Sequence, residues 1–453
     1  MGINWQQFGL KTNPYNTNAL VEGGELSIED AFIGRNQERK VLNDIFASDT
    51  KVCLAVCGET GVGKTTLANS HKFLWKYKRE KLLFSCRREI EASDTLLNKQ
   101  SFLLEIIGSI LREINLLDAN LSKDPLLSKL LQIVDVSQTI AISTGASVGI
   151  DGFGGGLNFQ RDRKNSLPIR FSMASLEQHF IDLLNFIKTH PIKRRQYQGI
   201  IIHVNNFDFV LKDSSRKKEV LSFFNEIRDI LQTKDAYFLF LGPSDFYSQI
   251  IAKEQRVKSV FERTPLLVRP LGKTEVIEAL EKRMELLKSE DVSSYIKPID
   301  DEVVSRLYSL YNGDIRSIMT GLKDILGQCE SRLLQPLSVN EAMLLLGRER
   351  WEKIGKSLTS EQKNILKFLV TTNKYASGKE ISEILGKTPS NMSGYYFPPL
   401  KNLGIIEQKE KKGTRIYFGL TTEYEPLKWW LESQENIRND VQDAKVTQSA
   451  LFT

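Results

Sequence analysis

Gly58-Glu59-Thr60-Gly61-Val62-Gly63-Lys64-Thr65 matches the spacing G-x-x-x-x-G-K-[ST], with Thr66 directly after it. Residues of these types at this spacing do one kind of chemistry. Glycines let consecutive backbone N–H groups wrap a polyphosphate, and a helix starting at the lysine adds its partial positive charge. Lys64 reaches the terminal phosphates, and the Thr65 hydroxyl is placed to ligate Mg2+. The flanking residues supply the context that the motif requires. Lys51 to Cys57 is an apolar run that predicts a strand, and Thr65 to Tyr77 has the pattern of a helix.

Hydrolysis needs more than a cradle. An acidic residue at the end of a neighbouring strand has to hold the metal through water, and a carboxylate has to orient the attacking water. The best partner strand is Gly199 to Val204, and it runs into Asn205-Asn206-Phe207-Asp208. Amides stand where both carboxylates are expected. Asn205 can still hydrogen-bond a metal-bound water, which makes it a metal-site candidate beside Thr65, but neither amide accepts a proton. The general-base role is therefore weak unless Asp208 or Glu59 substitutes, and binding without fast turnover is an expected alternative. The expected turnover is well below the roughly 1–100 per second of kinases. His203, inside the strand, reads as a core residue.

The elements around these residues follow from apolar patterning. Further strands are predicted at Lys81 to Cys86, Gly199 to Val204, Ala236 to Gly242 and Pro265 to Val268, with amphipathic helices between them, so the class is α/β with a parallel sheet. After Pro270 the strand signal stops, and three helical patterns follow at Thr274 to Lys288, Asp300 to Asn312 and Ile315 to Leu326. A helical lid is expected there. Thr139 to Phe171, centred on a glycine-rich stretch, reads as an insertion, either a hairpin or a surface loop. The expected organisation is a leader over 1–32, a nucleotide-binding core over 33–270 with an insertion at 139–171, a lid over 271–350, a winged helix-turn-helix over 351–432 and a polar tail over 433–453.

Composition agrees with a folded multidomain protein: 453 residues, 41% hydrophobic and 26% charged. Four cysteines without a C-x-x-C pair and four histidines argue for reduced thiols and against a metal cluster. The polar amino terminus lacks a signal-peptide core and no run has the apolar density of a membrane span, so a cytoplasmic location is expected. The net charge of +6 is too mild to assign nucleic-acid binding, but its distribution is uneven. Leu358 to Leu420 carries ten Lys and Arg against five Glu. Two helices, a Thr388-Pro389-Ser390 turn, a third helix over Asn391 to Leu403 and two strand-like runs give this basic segment the pattern of a winged helix. Ser390, Asn391, Ser393 and Tyr395 are placed to face a DNA major groove, and Lys411, Lys412 and Arg415 to follow the backbone. Pro398-Pro399 is expected to break or kink the third helix.

Taken in order, these pieces resemble the AAA+ ATPases, and within them the initiator group of origin-recognition and cell-division-control proteins. The resemblance covers roughly Ala31 to Leu420. It rests on Phe32-Ile33-Gly34-Arg35, the phosphate loop, the Asn205 to Asp208 strand end, Asn312-Gly313-Asp314-Ile315-Arg316 and the terminal winged helix. It implies that Ile33, Gly34 and Arg35 line an adenine pocket, so that the nucleotide is ATP. It also implies that Arg316 senses the terminal phosphate from the lid and that Arg256, in preference to Arg263, is offered to a neighbouring subunit. The insertion falls where such proteins carry an element that touches DNA, and Arg161, Arg163, Lys164 and Arg170 stand at its exit. The first-sensor position reads Gly242-Pro243-Ser244 instead of a clear Asn or Thr, with Ser244 a poor stand-in. The leader Phe8-Gly9-Leu10-Lys11-Thr12-Asn13-Pro14-Tyr15 looks like those of signalling and mobile-element ATPases. Two functions are therefore expected to compete: an ATP-switched DNA-binding assembly factor, self-associating or not, and a signalling, defence or mobile-element ATPase gating an effector protein. Lys64→Ala is expected to weaken ATP binding more than tenfold by calorimetry, because no other cation in the loop replaces its charge; equal affinities in mutant and parent would remove the site assignment.

Overall fold

The computed structural model describes residues 3–143, 173–329, 335–371, 375–413 and 415–434. Its centre is a parallel sheet of β1 (Val52–Cys57), β2 (Phe84–Ser85), β3 (Ile90–Glu91), β4 (Ile200–Asn205), β5 (Ala236–Gly242) and β6 (Leu266–Leu267). The order across the sheet is β2-β4-β5-β1-β6, with β3 also pairing β4. Cys53 lies opposite Phe238 and His203 opposite Leu239. Every residue of β1, β4 and β5 is buried, which is the burial that a sheet covered on both faces imposes. Alternation decides which face each side chain takes. Val52, Leu54, Val56, Ile201, Tyr237 and Leu239 pack on α1 (Asn36–Ser48) and α2 (Lys64–Tyr77) through Leu42, Phe46, Leu67 and Trp75. Cys53, Ala55, Ile202, Phe238 and Phe240 face the larger core. That core is built by α3 (Lys99–Leu117), α4 (Pro125–Ser143), α5 (Met173–Thr189) and α6 (Lys217–Glu226).

The five expected strands form close to their predicted bounds. β3 was not anticipated: the edge strand stops after Ser85 and resumes at Ile90, too short a run to show periodicity. The insertion expected from Thr139 begins as helix, because α4 continues to Ser143. Residues 144–172, with the expected hairpin and its basic exit, lie outside the described residues.

Two compact units result, Asn18–Leu271 and Met1–Thr17 with Gly272–Thr453. In the second, α7 (Lys273–Leu286), α8 (Asp301–Leu310), α9 (Ile315–Gly327) and α10 (Val339–Ile354) form the helical part. The first residues of the chain pack here. Phe8, Leu10 and Tyr15 are buried, and Lys11 N–H donates to Leu287 O at 2.7 Å. The Arg283 guanidinium of α7 holds the carbonyls of Pro14 and Asn16. Gly9 has φ +72, and a Cβ there would sit 3.1 Å from Val292 Cγ2, so glycine is required twice over.

The winged helix follows, with α11 (Ser360–Thr371), α12 (Gly378–Ile384) and a helical stretch from Pro389 to Asn402. Its sheet is β7 (Ala376–Ser377), β8 (Ile406–Lys412) and β9 (Arg415–Leu420), in the order β7-β9-β8. Pro398-Pro399 does not break the third helix. Met392–Tyr396 forms a π turn, and Phe397–Asn402 restarts as α-helix with the prolines at its first positions, where no donor is missed. Lys411 and Lys412 belong to β8, and Lys412 pairs with Arg415 across the ladder. No helix among the described residues is long and apolar enough to cross a membrane.

One polar feature lies inside the nucleotide-binding unit. Lys76 of α2 is 0% exposed and lies 2.8 Å from Glu113 Oε1 and 3.1 Å from Glu22 Oε2. Arg87 N–H donates to Glu113 Oε2, and the Tyr77 hydroxyl donates to Glu22. Breaking a buried charge network strands its partners. Lys76→Met is expected to cost about 3–5 kcal/mol, read as a lowered denaturation midpoint; an unchanged midpoint would show that Glu22 and Glu113 are hydrated without it.

Candidate nucleotide-binding site

The phosphate loop is shaped by two demands on its glycines. β6 passes so close that a Cβ on Gly58 would lie 2.4 Å from Val268 O, and Val268 N–H donates to Cys57 O at 2.7 Å. Gly61 and Gly63 have φ of 81° and 92°, a left-handed backbone that folds the loop into the start of α2. Gly63 occupies the N-cap of α2 and gives it no side-chain hydrogen bond. The first N–H groups of a 14-residue helix are thus left facing the loop, which is the physical basis of anion binding at a helix start.

Lys64 spans the loop from within. It is 7% exposed, and its Nζ donates to Gly58 O at 2.7 Å and Glu59 O at 2.9 Å. Asp208 Oδ2 lies 3.3 Å away. Thr65, one residue on, accepts a hydrogen bond from Asn205 Nδ2 at 3.0 Å. Asn205 is the last residue of β4 and is buried. The amide thus sits beside the Thr65 hydroxyl, and it supplies a donor where a carboxylate would accept. Of the remaining loop residues, Val62 is buried, Thr65 and Thr66 are half-buried, and Glu59 and Thr60 are exposed.

Asn206 turns the chain at φ 68, a left-handed conformation that Asn tolerates better than most residues. The turn starts the short helix Phe207–Val210 and returns the Asp208 carboxylate to Lys64. Burial pushes the Asp208 carboxyl up, the Lys64 ammonium and its hydrogen bond pull it down, and the Glu59 charge adds to the rise. The net direction is upward. Glu59 itself is engaged by the Ser244 hydroxyl, which follows β5. Sequence reasoning set Ser244 aside as a departure; only the fold brings it to the loop. His203 is buried in β4, and desolvation holds it well below its ordinary range, a neutral core residue.

Ile33 and Gly34 lead into α1 and are half-buried. The Arg35 side chain turns inward to the carbonyls of Val62 and Arg269 and to Glu38. That role had no signal in the sequence, because its partners are backbone atoms far along the chain. Arg256 lies in the exposed short helix Gln255–Lys258, and its guanidinium has no ion pair among the described residues.

In the other unit, Arg316 is exposed at the start of α9, where Asp314 caps the Arg316 and Ser317 N–H groups. A cation at a helix N-terminus is opposed by the dipole, so helix stability does not explain it. Ser390, Asn391, Ser393 and Tyr395 are all exposed, Tyr395 at 72%. The Thr388 side chain caps this stretch at Asn391 N–H. Lys411, Lys412 and Arg415 project from the wing, although Lys412 has Glu410 at 3.2 Å.

A parallel sheet with β5 between β4 and the loop strand β1, a glycine-rich loop leading into α2, a run of helices and a C-terminal winged helix make up the described architecture. The chain is similar, over most of its length, to several solved proteins. The Aeropyrum pernix ORC1 protein, solved in complex with DNA, is 15% identical with a TM-score of 0.43, covering 91% of this chain and 95% of that one. The Aeropyrum pernix ORC2 protein is 14% identical with a TM-score of 0.43, covering 92% and 98%. Cdc6p from Pyrobaculum aerophilum is 14% identical with a TM-score of 0.39, covering 93% and 98%. A relative described as an uncharacterized HTH-type transcriptional regulator of Methanocaldococcus jannaschii is 21% identical over 422 residues, 91% of either chain. No family model matches the chain.

If Asp208 is the base, its raised carboxyl fixes the pH profile. The carboxylate must be ionised to accept a proton, so turnover falls as pH drops through a value above the ordinary 3.8. Asp208→Asn is expected to retain ATP binding and lose both turnover and the acid limb; a mutant that keeps its rate and profile would assign the base elsewhere.

Proposed function

We propose that the chain is an ATP-binding, ATP-switched DNA-binding assembly factor of the AAA+ initiator type, with slow hydrolysis. The observation that carries this reading is the uncapped start of α2 with Lys64 buried across it and Asn205 on Thr65. The donor set fits a nucleoside triphosphate: helix N–H groups, a lysine and a hydroxyl converge on one cradle. It also fits Mg2+ at Thr65, with Asn205 as a hydrogen-bonding rather than anionic neighbour. Magnesium, when bound, offsets phosphate charge. The residues do the rest. Lys64 exchanges carbonyl oxygens for phosphate oxygens, which separates it from Asp208. Asp208 then loses the cation that offsets its burial, so its basicity rises where an attacking water has to be deprotonated. Asn205 and Asn206 contribute no second base, which keeps turnover slow. Ile33 and Gly34 are assigned to the adenine side, Arg316 to sensing the terminal phosphate from the lid, and Arg256 to a neighbouring copy.

DNA is the assigned partner of the winged helix. Uncharged Ser390, Asn391, Ser393 and Tyr395 suit base edges, and Lys411, Lys412 and Arg415 suit phosphates. The transcriptional-regulator description of the Methanocaldococcus jannaschii relative supports this side of the reading. Binding to mixed-sequence duplex should weaken with salt, and replacing Lys411, Lys412 and Arg415 by alanine should lower the log–log slope by about 1 for each phosphate that is no longer neutralised. A slope near zero in the parent would instead favour an ATPase whose nucleotide state gates a protein partner.

A further inference from the structure

Arg35 is a charged residue at 6% exposure, held in the left-handed region at φ 63 and ψ 26 immediately after Gly34 at φ 72. An arginine gains nothing from such a backbone, so its neighbours must hold it there. Three contacts do so. Nη2 donates to Val62 O at 2.5 Å, and Nη1 donates to Arg269 O at 2.5 Å and to Glu38 Oε1 at 2.8 Å. Val62 lies between Gly61 and Gly63, at the turn of the phosphate loop into α2. Arg269 directly follows Val268, the residue after β6, whose carbonyl packs against Gly58 at the other end of the loop.

The geometry of a peptide bond gives the Val62 contact its meaning. Across a planar trans peptide, the C=O of one residue and the N–H of the next point in opposite directions. With Val62 O fixed on the Arg35 guanidinium, the Gly63 N–H must point the other way. Gly63, free of Cβ constraints on both signs of φ, would otherwise let that peptide rotate and present a carbonyl oxygen to an anion. Fixing the peptide keeps a donor there.

Resting on the nucleotide-binding reading above, we propose that Arg35 is a positioning residue for the phosphates and not a reader of the base. It orients the Val62–Gly63 peptide so that the loop presents N–H groups to the polyphosphate. It also ties that peptide to the backbone at Arg269, two residues before the end of the nucleotide-binding unit.

The test is calorimetry on the full chain with ATP, GTP, tripolyphosphate and adenosine, comparing the parent with Arg35→Gln, Arg35→Lys and Glu38→Gln. Loss of a charge-assisted hydrogen bond predicts that Arg35→Gln weakens ATP and tripolyphosphate about tenfold or more. Adenosine affinity and the ATP-to-GTP ratio should stay at parental values. Arg35→Lys keeps the charge but cannot fork to two carbonyls, so an intermediate loss is expected. Glu38→Gln leaves both carbonyl contacts in place and should lose less phosphate affinity than Arg35→Gln. If Arg35→Gln unfolds the unit, Arg35→Lys decides alone, with phosphate-specific loss supporting the inference. Equal losses for ATP and adenosine, or a shifted ATP-to-GTP ratio, would overturn it in favour of a base contact. A parent that binds ATP with every Arg35 variant unchanged overturns this inference alone, whereas a parent that binds none of the ligands overturns the nucleotide reading as well.

Discussion

An α-helix that begins without a side-chain cap leaves donors to be satisfied by something else, and α2 begins that way inside a loop of glycines. The rest of the nucleotide-binding unit can be understood as the support this opening requires. β1 delivers the chain to Gly58, and β6 closes against it so tightly that only glycine fits. β4 brings Asn205 to Thr65 and, through the turn at Asn206, Asp208 to Lys64. Farther along the helix, Lys76 anchors α2 through Glu22 and Glu113, so that the charges at its start and in its body are separately partnered.

Electrostatics explains why these groups tolerate burial. Lys64 is compensated by two carbonyl oxygens and one carboxylate, and a polyphosphate offers the same kind of ligand with more charge. Asp208 is left with the opposite bias: burial acts against its charge, and the Lys64 cation together with a backbone hydrogen bond only partly offsets it.

Much of this was legible in the amino-acid sequence because it is local. The strand, the loop and the helix start are contiguous, and their apolar periodicity and glycine spacing are visible in one line. The same holds for the winged helix, whose turns and basic hairpin lie within some sixty residues. What escaped notice is non-local or conformational. Ser244 meets Glu59 only because β5 ends beside β1, and Arg35 meets Val62 and Arg269 through backbone atoms that no side-chain pattern marks. Pro398-Pro399 misled for a related reason. Two prolines forbid a regular helix interior, but a π turn placed just before them converts an interior into a beginning.

The discontinuous unit has a consequence for synthesis. Phe8, Leu10 and Tyr15 are translated before the surfaces that bury them, α7 and the segment after it, which lie more than 250 residues further along the chain. The nucleotide-binding unit, from Asn18 to Leu271, is complete before its own leader has a partner. During that interval an apolar amino-terminal segment stays solvent-facing on the nascent chain, and closing so long a loop is the slow kind of contact. The contacts that bury Phe8, Leu10 and Tyr15 therefore cannot form until α7 has been made, after the whole of Asn18 to Leu271.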